Sequence, residues 1–184
     1  MSNQAYTAGK AAWHTDAINC LRQGKRIAPL QVHFVISDLC NHDCHFCAYR
    51  SGLGLSTENF GEVKNGKLVK NPNRRIPTDK CVEILDDLAS IGTRSVQFTG
   101  GGEPTVHKDH IDLFGHAQAL GMETALVTNG QILSDGWEGV YAKMAWIRVS
   151  VDAGQASTYS DVRRVREDVF DRVLENIEKI NFRS

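Results

Sequence analysis

Cys40, Cys44 and Cys47 fall in the run CNHDCHFC at the spacing C-x3-C-x2-C. Three thiolates on one short loop can hold three corners of a cubic iron–sulfur cluster. Such clusters are usually held by four cysteines. The two other cysteines lie elsewhere, Cys20 before the loop and Cys81 in a helical pattern. A three-cysteine site leaves one iron open, and an open iron can bind a substrate or cofactor. That is chemistry rather than electron storage alone. The alternative is a zinc site completed by His42 or His45. Five cysteines cannot all pair, and three are too crowded for a simple disulfide framework, so free thiols in a reducing compartment are expected.

A second motif, TGGGEP at 99–104, follows a strand pattern. Glycines let backbone approach a ligand closely. Glu103 offers an acceptor to an ammonium group. The bland reading is a tight turn before the next helix. Arg163, Arg164 and Arg166 form a basic run that could reach a ligand carboxylate through a bidentate contact or simply be solvated. His107 and His110 are either proton donors or exposed residues at a helix start. Cys81 occupies an apolar helical position and reads as a buried thiol, and Cys20 as an inert one.

Positioning these residues requires alternating strands and helices. A helix is expected over 5–22, ended by Gly24, and the strand QVHFVIS, 31–37, runs into the cysteine loop. Residues 50–77 show no period and read as a surface insertion with a small hairpin around Asn65-Gly66. Thr78 can cap a helix that places Cys81, Ile84, Leu85 and Leu88 on one face. A strand over 94–100 follows, then a helix over 108–120 that stops at Gly121. The strand 122–130, a weak helix near 134–143 and the strand 146–154 come next. A last helix, 168–180, places Phe170, Val173, Leu174 and Ile177 on one face.

Four strand–helix units in series imply a parallel sheet. Val32, Phe34, Ile36, Val96, Phe98, Ile147, Val149 and Val151 should face the helices, leaving a polar inner face. Such a face suggests an open cavity that holds a ligand, unlike the packed interior of a closed barrel. The third strand fits less well, because Leu126 shares a face with Thr124 and Thr128. The motifs all follow strands at their C-terminal ends, where α/β barrels bind ligands.

The cysteine spacing with the downstream Gly-Gly-Glu-Pro resembles the radical S-adenosylmethionine (SAM) superfamily over roughly 31–180. The resemblance implies an α/β partial (β/α) TIM-like barrel, of which this chain supplies about four of the six units. It divides the chain into an N-terminal helical extension, 1–30, and a truncated core, 31–184, with the insertion at about 50–77. By resemblance, Cys40, Cys44 and Cys47 ligate a 4Fe–4S cluster, and the open iron chelates SAM. Reductive cleavage of SAM then gives a 5′-deoxyadenosyl radical that abstracts hydrogen from an unknown substrate. Gly101, Gly102 and Glu103 match the motif that meets the SAM amino group, although the extra glycine also allows the frame Gly100-Gly101. Phe46 matches an aromatic position whose backbone meets adenine. Thr128, Ser150 and Asp152 resemble positions that contact ribose and methionine, and one of the three arginines could pair with the SAM carboxylate. The implied partner is an electron donor such as flavodoxin or ferredoxin. TGGGEPT, TNG and VSVD also resemble, in part, the GTP cyclase family of molybdenum-cofactor synthesis. The alternative function is a truncated or degenerate cluster-binding protein without turnover, or a small zinc-binding module.

Composition fits a soluble domain with a real core: 184 residues, 41% hydrophobic and 23% charged. With 21 basic and 22 acidic residues, the charge balance gives no signal for nucleic acid or membrane. No run approaches the ~20 apolar residues of a membrane span, and the first residues lack the apolar core of a signal peptide. A cytoplasmic location is expected.

Overall fold

The computed structural model describes residues 14–49, 62–64, 67–69 and 74–181. A four-stranded sheet forms its centre. The strands are β1 (Gln31–Phe34), β4 (Ser95–Phe98), β5 (Glu123–Thr128) and β6 (Trp146–Val149), in that spatial order. All three neighbouring pairs are parallel, as the strand–helix alternation requires. Each strand is shorter than its apolar run, because the last residues leave the ladder to build the loops of the site.

Register explains the core. Phe34, Phe98, Leu126 and Ile147 stand in one row across the sheet. The first three are buried in the main cluster with Leu85, Leu113 and Phe114, and Ile147 packs against it. The helices supplying the other side are α2 (Thr78–Ser90) and α3 (His110–Ala119). The Thr124 and Thr128 misfit on β5 resolves through hydrogen bonds rather than a slip of register. Thr124 is 1% exposed and accepts from Gln118 Nε2 of α3 at 2.9 Å. Thr128 reaches a carboxylate described below.

Other elements depart from the sequence pattern. The first helix, α1, spans Thr15–Arg22, and residues 5–13 of the expected helix lie outside the described residues. Gly24 follows it at φ +72°, a conformation that favours glycine. The expected hairpin pairs β2 (Glu62–Lys64) with β3 (Lys67–Val69) antiparallel, and its turn residues lie outside the described ones. Pro77, not Thr78, is the N-cap of α2; Thr78 is helical and its hydroxyl donates to Asp109 Oδ2. On α6 (Asp168–Asn181), Phe170, Val173 and Ile177 pack as expected and Val169 joins them, whereas Leu174 is 39% exposed. Asn176 of the same helix turns inward and donates to the carbonyls of Gly130 and Gln131 at 2.9 and 3.1 Å. The weak helix is α4 (Trp137–Tyr141). An additional helix, α5 (Ala156–Arg163), occupies a stretch where the sequence pattern showed none.

Candidate functional site

Parallel strands place all their following loops at one end of the sheet. A cavity of about 280 Å³ opens there. Cys40, Cys44, Phe46 and Cys47 line it from the loop after β1. Gly100, Gly101, Gly102 and Glu103 line it after β4, Thr128 at the end of β5, and Ser150 after β6. Of the residues that the resemblance matches one by one to the cluster or SAM, only Asp152 is missing from this lining. Its backbone has φ +58°, and its exposed carboxylate pairs with Arg163 instead.

The glycine loop needs its glycines for space. A Cβ on Gly102 would run into the backbone carbonyl of Leu39 and lie 2.6 Å from the Asp38 carbonyl carbon. One on Gly101 would come within 2.6 Å of Asp38 Oδ1 and 3.0 Å of the Tyr49 ring. Tyr49 is a cavity residue that the sequence reading passed over. The loops are tied together by Glu103 N–H, which donates to Leu39 O at 2.8 Å.

The Glu103 side chain is already hydrogen-bonded within the chain. It is 2% exposed. Oε1 accepts from Thr105 N–H at 3.1 Å, Thr105 Oγ1 at 2.8 Å and Thr128 Oγ1 at 2.7 Å. Oε2 accepts from Asn129 N–H at 2.6 Å. The carboxylate therefore caps the 3-10 turn Pro104–Val106 and clamps it to the end of β5. Burial pushes its pKa above the ordinary carboxyl value, and the four hydrogen bonds oppose that shift. Thr128 Oγ1 also accepts from Gly130 N–H at 3.0 Å, so that hydroxyl is engaged within the chain.

The cysteine loop is held from two sides. On one, Asn129 Nδ2 donates to Asn41 Oδ1 at 2.7 Å, while Asn41 Nδ2 and His42 Nε2 each lie 2.8 Å from Gln131 Oε1. On the other, the amides of Asp43 and His45 donate to the carbonyls of Arg163 and Val162, both at 3.2 Å. These are C-terminal carbonyls of α5, which have no partner within the helix. Arg163 is 5% exposed and its Nη1 donates to Cys44 Sγ at 3.4 Å. His42 N–H donates to Cys40 Sγ, also at 3.4 Å.

The other basic residues point elsewhere. Arg164 pairs with Asp43 and Arg166 with Asp168, both exposed. His107 and His110 are buried rather than exposed and do not line the cavity. His107 Nε2 donates to Ile76 O at 3.0 Å, and His110 Nδ1 to His107 O at 2.7 Å. Cys81 is fully buried among apolar side chains, which push its thiol up to about 11. It is a core residue with no thiolate to offer near neutral pH.

The donor set suits a cluster. None of the described cysteines is in a disulfide. His42 N–H and Arg163 Nη1 point at the sulfurs of Cys40 and Cys44 and can donate to sulfur ligands of a cluster. Among the described residues no three His, Cys, Asp or Glu side chains converge as ligands of one ion. A zinc ion needs all four ligands within about 2.3 Å of it, whereas a cube takes one cysteine per iron. His42 and His45 face Gln131 and the Val162 carbonyl.

Residues 34–181 match the family model of the radical SAM superfamily. The chain belongs to that superfamily. Its members are enzymes whose cofactors are a 4Fe–4S cluster and SAM. An S-adenosylmethionine-dependent nucleotide dehydratase of Flammeovirga pacifica is 32% identical over 161 residues, 86% of this chain and 51% of that protein. A GTP 3′,8-cyclase of Clostridium perfringens is 26% identical over 86% of this chain and 44% of its own length. The radical SAM chain thus spans about half the length of these relatives. The crystal structure of Streptococcus suis SuiB bound to its precursor peptide SuiA superposes with a TM-score of 0.61 at 19% identity, covering 91% of this chain and 34% of SuiB. That likeness establishes the TIM-like partial-barrel fold. Among the described residues no helix is long and apolar enough to cross a membrane.

Proposed function

We propose that Cys40, Cys44 and Cys47 hold a 4Fe–4S cluster at the mouth of the cavity, with SAM seated beside it on the glycine loop. When bound, the reduced cluster supplies the electron that cleaves SAM to methionine and a 5′-deoxyadenosyl radical, which abstracts hydrogen from the substrate. The observation that carries this reading is that three cysteine side chains outside any disulfide and the close-packed backbone of Gly100–Glu103 line one cavity. The protein's part is to orient the cofactors and keep water from the radical.

The backbone of Gly101 and Gly102 borders SAM, and the Glu103 carboxylate holds that backbone in place. Phe46, 53% exposed, lines the cavity, and we assign its backbone to adenine. Ser150 lines the same cavity from the end of β6. Asp152 acts through Arg163. We assign 31–184 to the core, with 50–77 as an insertion and 1–30 as an extension. The cellular setting is cytoplasmic, with electrons from a flavodoxin or ferredoxin.

Anaerobic reconstitution tests this. Wild-type protein should take up four iron and four sulfide per chain, as the cluster's formula requires, and release 5′-deoxyadenosine from SAM under dithionite. Cys44→Ala should stay nearly colourless. Wild-type iron and sulfide in Cys44→Ala, or zinc with no iron in the wild type, would overturn the assignment.

A further inference from the structure

We propose that Arg163 is a positioning residue that shapes the cysteine loop and sets the charge beside Cys44, a role that rests on the cluster assignment above. One guanidinium joins three parts of the site. Its Nη2 donates to the Ser150 carbonyl and the Asp152 carboxylate, and its Nη1 to Cys44 Sγ. Its Cζ lies over two rings, 5.7 Å from the Phe46 centroid and 5.8 Å from that of Tyr159. Tyr159 is fully buried one turn earlier on α5, so the arginine has little rotamer freedom left.

The backbone around it repeats the link. The Arg163 and Val162 carbonyls accept the amides of Asp43 and His45. These two amides flank Cys44, so the end of α5 fixes the path of the chain through the middle ligand. The end of β6 and the cysteine loop are thereby held at one spacing before any cofactor arrives. A permanent positive charge and an N–H donor beside a ligand sulfur favour the reduced, more negative state of a cluster. Arginine suits this task better than lysine. Its fork serves several acceptors at once, and its charge does not titrate.

The test compares wild type, Arg163→Lys and Arg163→Gln in the full chain. The first arm is hydrogen exchange of cluster-free protein. In both variants the Asp43 and His45 amides should exchange at least tenfold faster, while Val96 and Leu126 in the sheet keep wild-type protection. The second arm is the midpoint potential of the reconstituted cluster without SAM. It should move to more negative values in Arg163→Gln and stay near wild type in Arg163→Lys. If Arg163→Gln fails to fold, the lysine variant still tests the loop through exchange. Unchanged exchange together with an unchanged potential overturns the proposal. So does a selective loss of SAM affinity, which would make Arg163 a SAM contact instead. A wild type that binds no cluster refutes the proposed function, and the exchange arm then judges the loop-shaping role alone.

Discussion

Glu103 offers a sharp test, because its side chain is built into the protein on four sides. In Glu103→Ala the buried amides of Thr105 and Asn129 lose their acceptor. The hydroxyls of Thr105 and Thr128 can rotate toward other partners, but the two amides cannot. A buried donor left without an acceptor costs about 1–3 kcal/mol, so the pair costs roughly 2–6 kcal/mol. Total stability of a domain is about 5–15 kcal/mol. Glu103→Gln is the finer probe. Its amide oxygen can still serve the Thr105 and Thr128 donors. Its NH2 then faces Asn129 N–H, donor against donor, for a cost of about 1–3 kcal/mol.

Urea unfolding of cluster-free protein reads both numbers. With a slope of about 2 kcal/mol per molar urea, a 3 kcal/mol loss lowers the midpoint by about 1.5 M. The alanine variant should lose more than the glutamine variant, and both should lose SAM affinity because the glycine loop shifts. The reasoning is refuted if Glu103→Ala unfolds within about 0.2 M of wild type while SAM affinity still falls. That result would place the carboxylate on SAM and not on Thr128 and Asn129.

Gly102→Ala forces a methyl into the backbone of Leu39 and Asp38; overpacking of this kind costs about 1–3 kcal/mol, and calorimetry with SAM should show binding abolished. Cys81→Ala should retain wild-type iron and sulfide, at a stability cost of about 1 kcal/mol for one buried heavy atom; loss of the cluster would make Cys81 a ligand. His110 is buried, its Nε2 has no hydrogen-bond partner among the described residues, and burial lowers its pKa below 6.5. The unfolded chain therefore takes the proton first, so stability is complete above pH ~6.5 and falls as the pH drops toward the folded value. His110→Phe should flatten that fall by up to about 1.4 kcal/mol per pH unit, and an unchanged slope in urea midpoints between pH 7 and 5 would contradict it.

The cysteine triplet and the glycine loop were legible because each is local. Their chemistry is written in adjacent residues, and a parallel sheet sends every strand-following loop to the same end. The alternation on β1, β4 and β6 was legible for the same reason. Helix α5 was not. Its sequence, ASTYSDVR, carries one large apolar residue and several weak helix formers. Its buried face is Tyr159 and Arg163. An arginine inside a core is invisible to hydrophobic periodicity, because its burial depends on Asp152 and Cys44, 11 and 119 residues away in sequence. The direction of Glu103 was hidden in the same way. Nothing in GGGEP says whether the carboxylate faces a ligand or turns back, and the decision lies with Thr128, 25 residues on.

The hydrogen bonds also show why the cavity is a property of all four strands and not of the cysteine loop alone. Glu103 N–H joins the glycine loop to Leu39, and its carboxylate joins that loop to Thr128 and Asn129. Asn129 joins β5 to Asn41, and Gln131 joins it to Asn41 and His42. Arg163 joins the end of β6 to Cys44, and the α5 carbonyls reach Asp43 and His45. Every loop at this end of the sheet is thus fastened to its neighbour or to the cysteine loop. Such contacts are coupled, so their substitutions should not add independently. Cysteine spacing supplies the ligands, but side chains from β5 and α5 give those ligands a fixed shape before iron is bound.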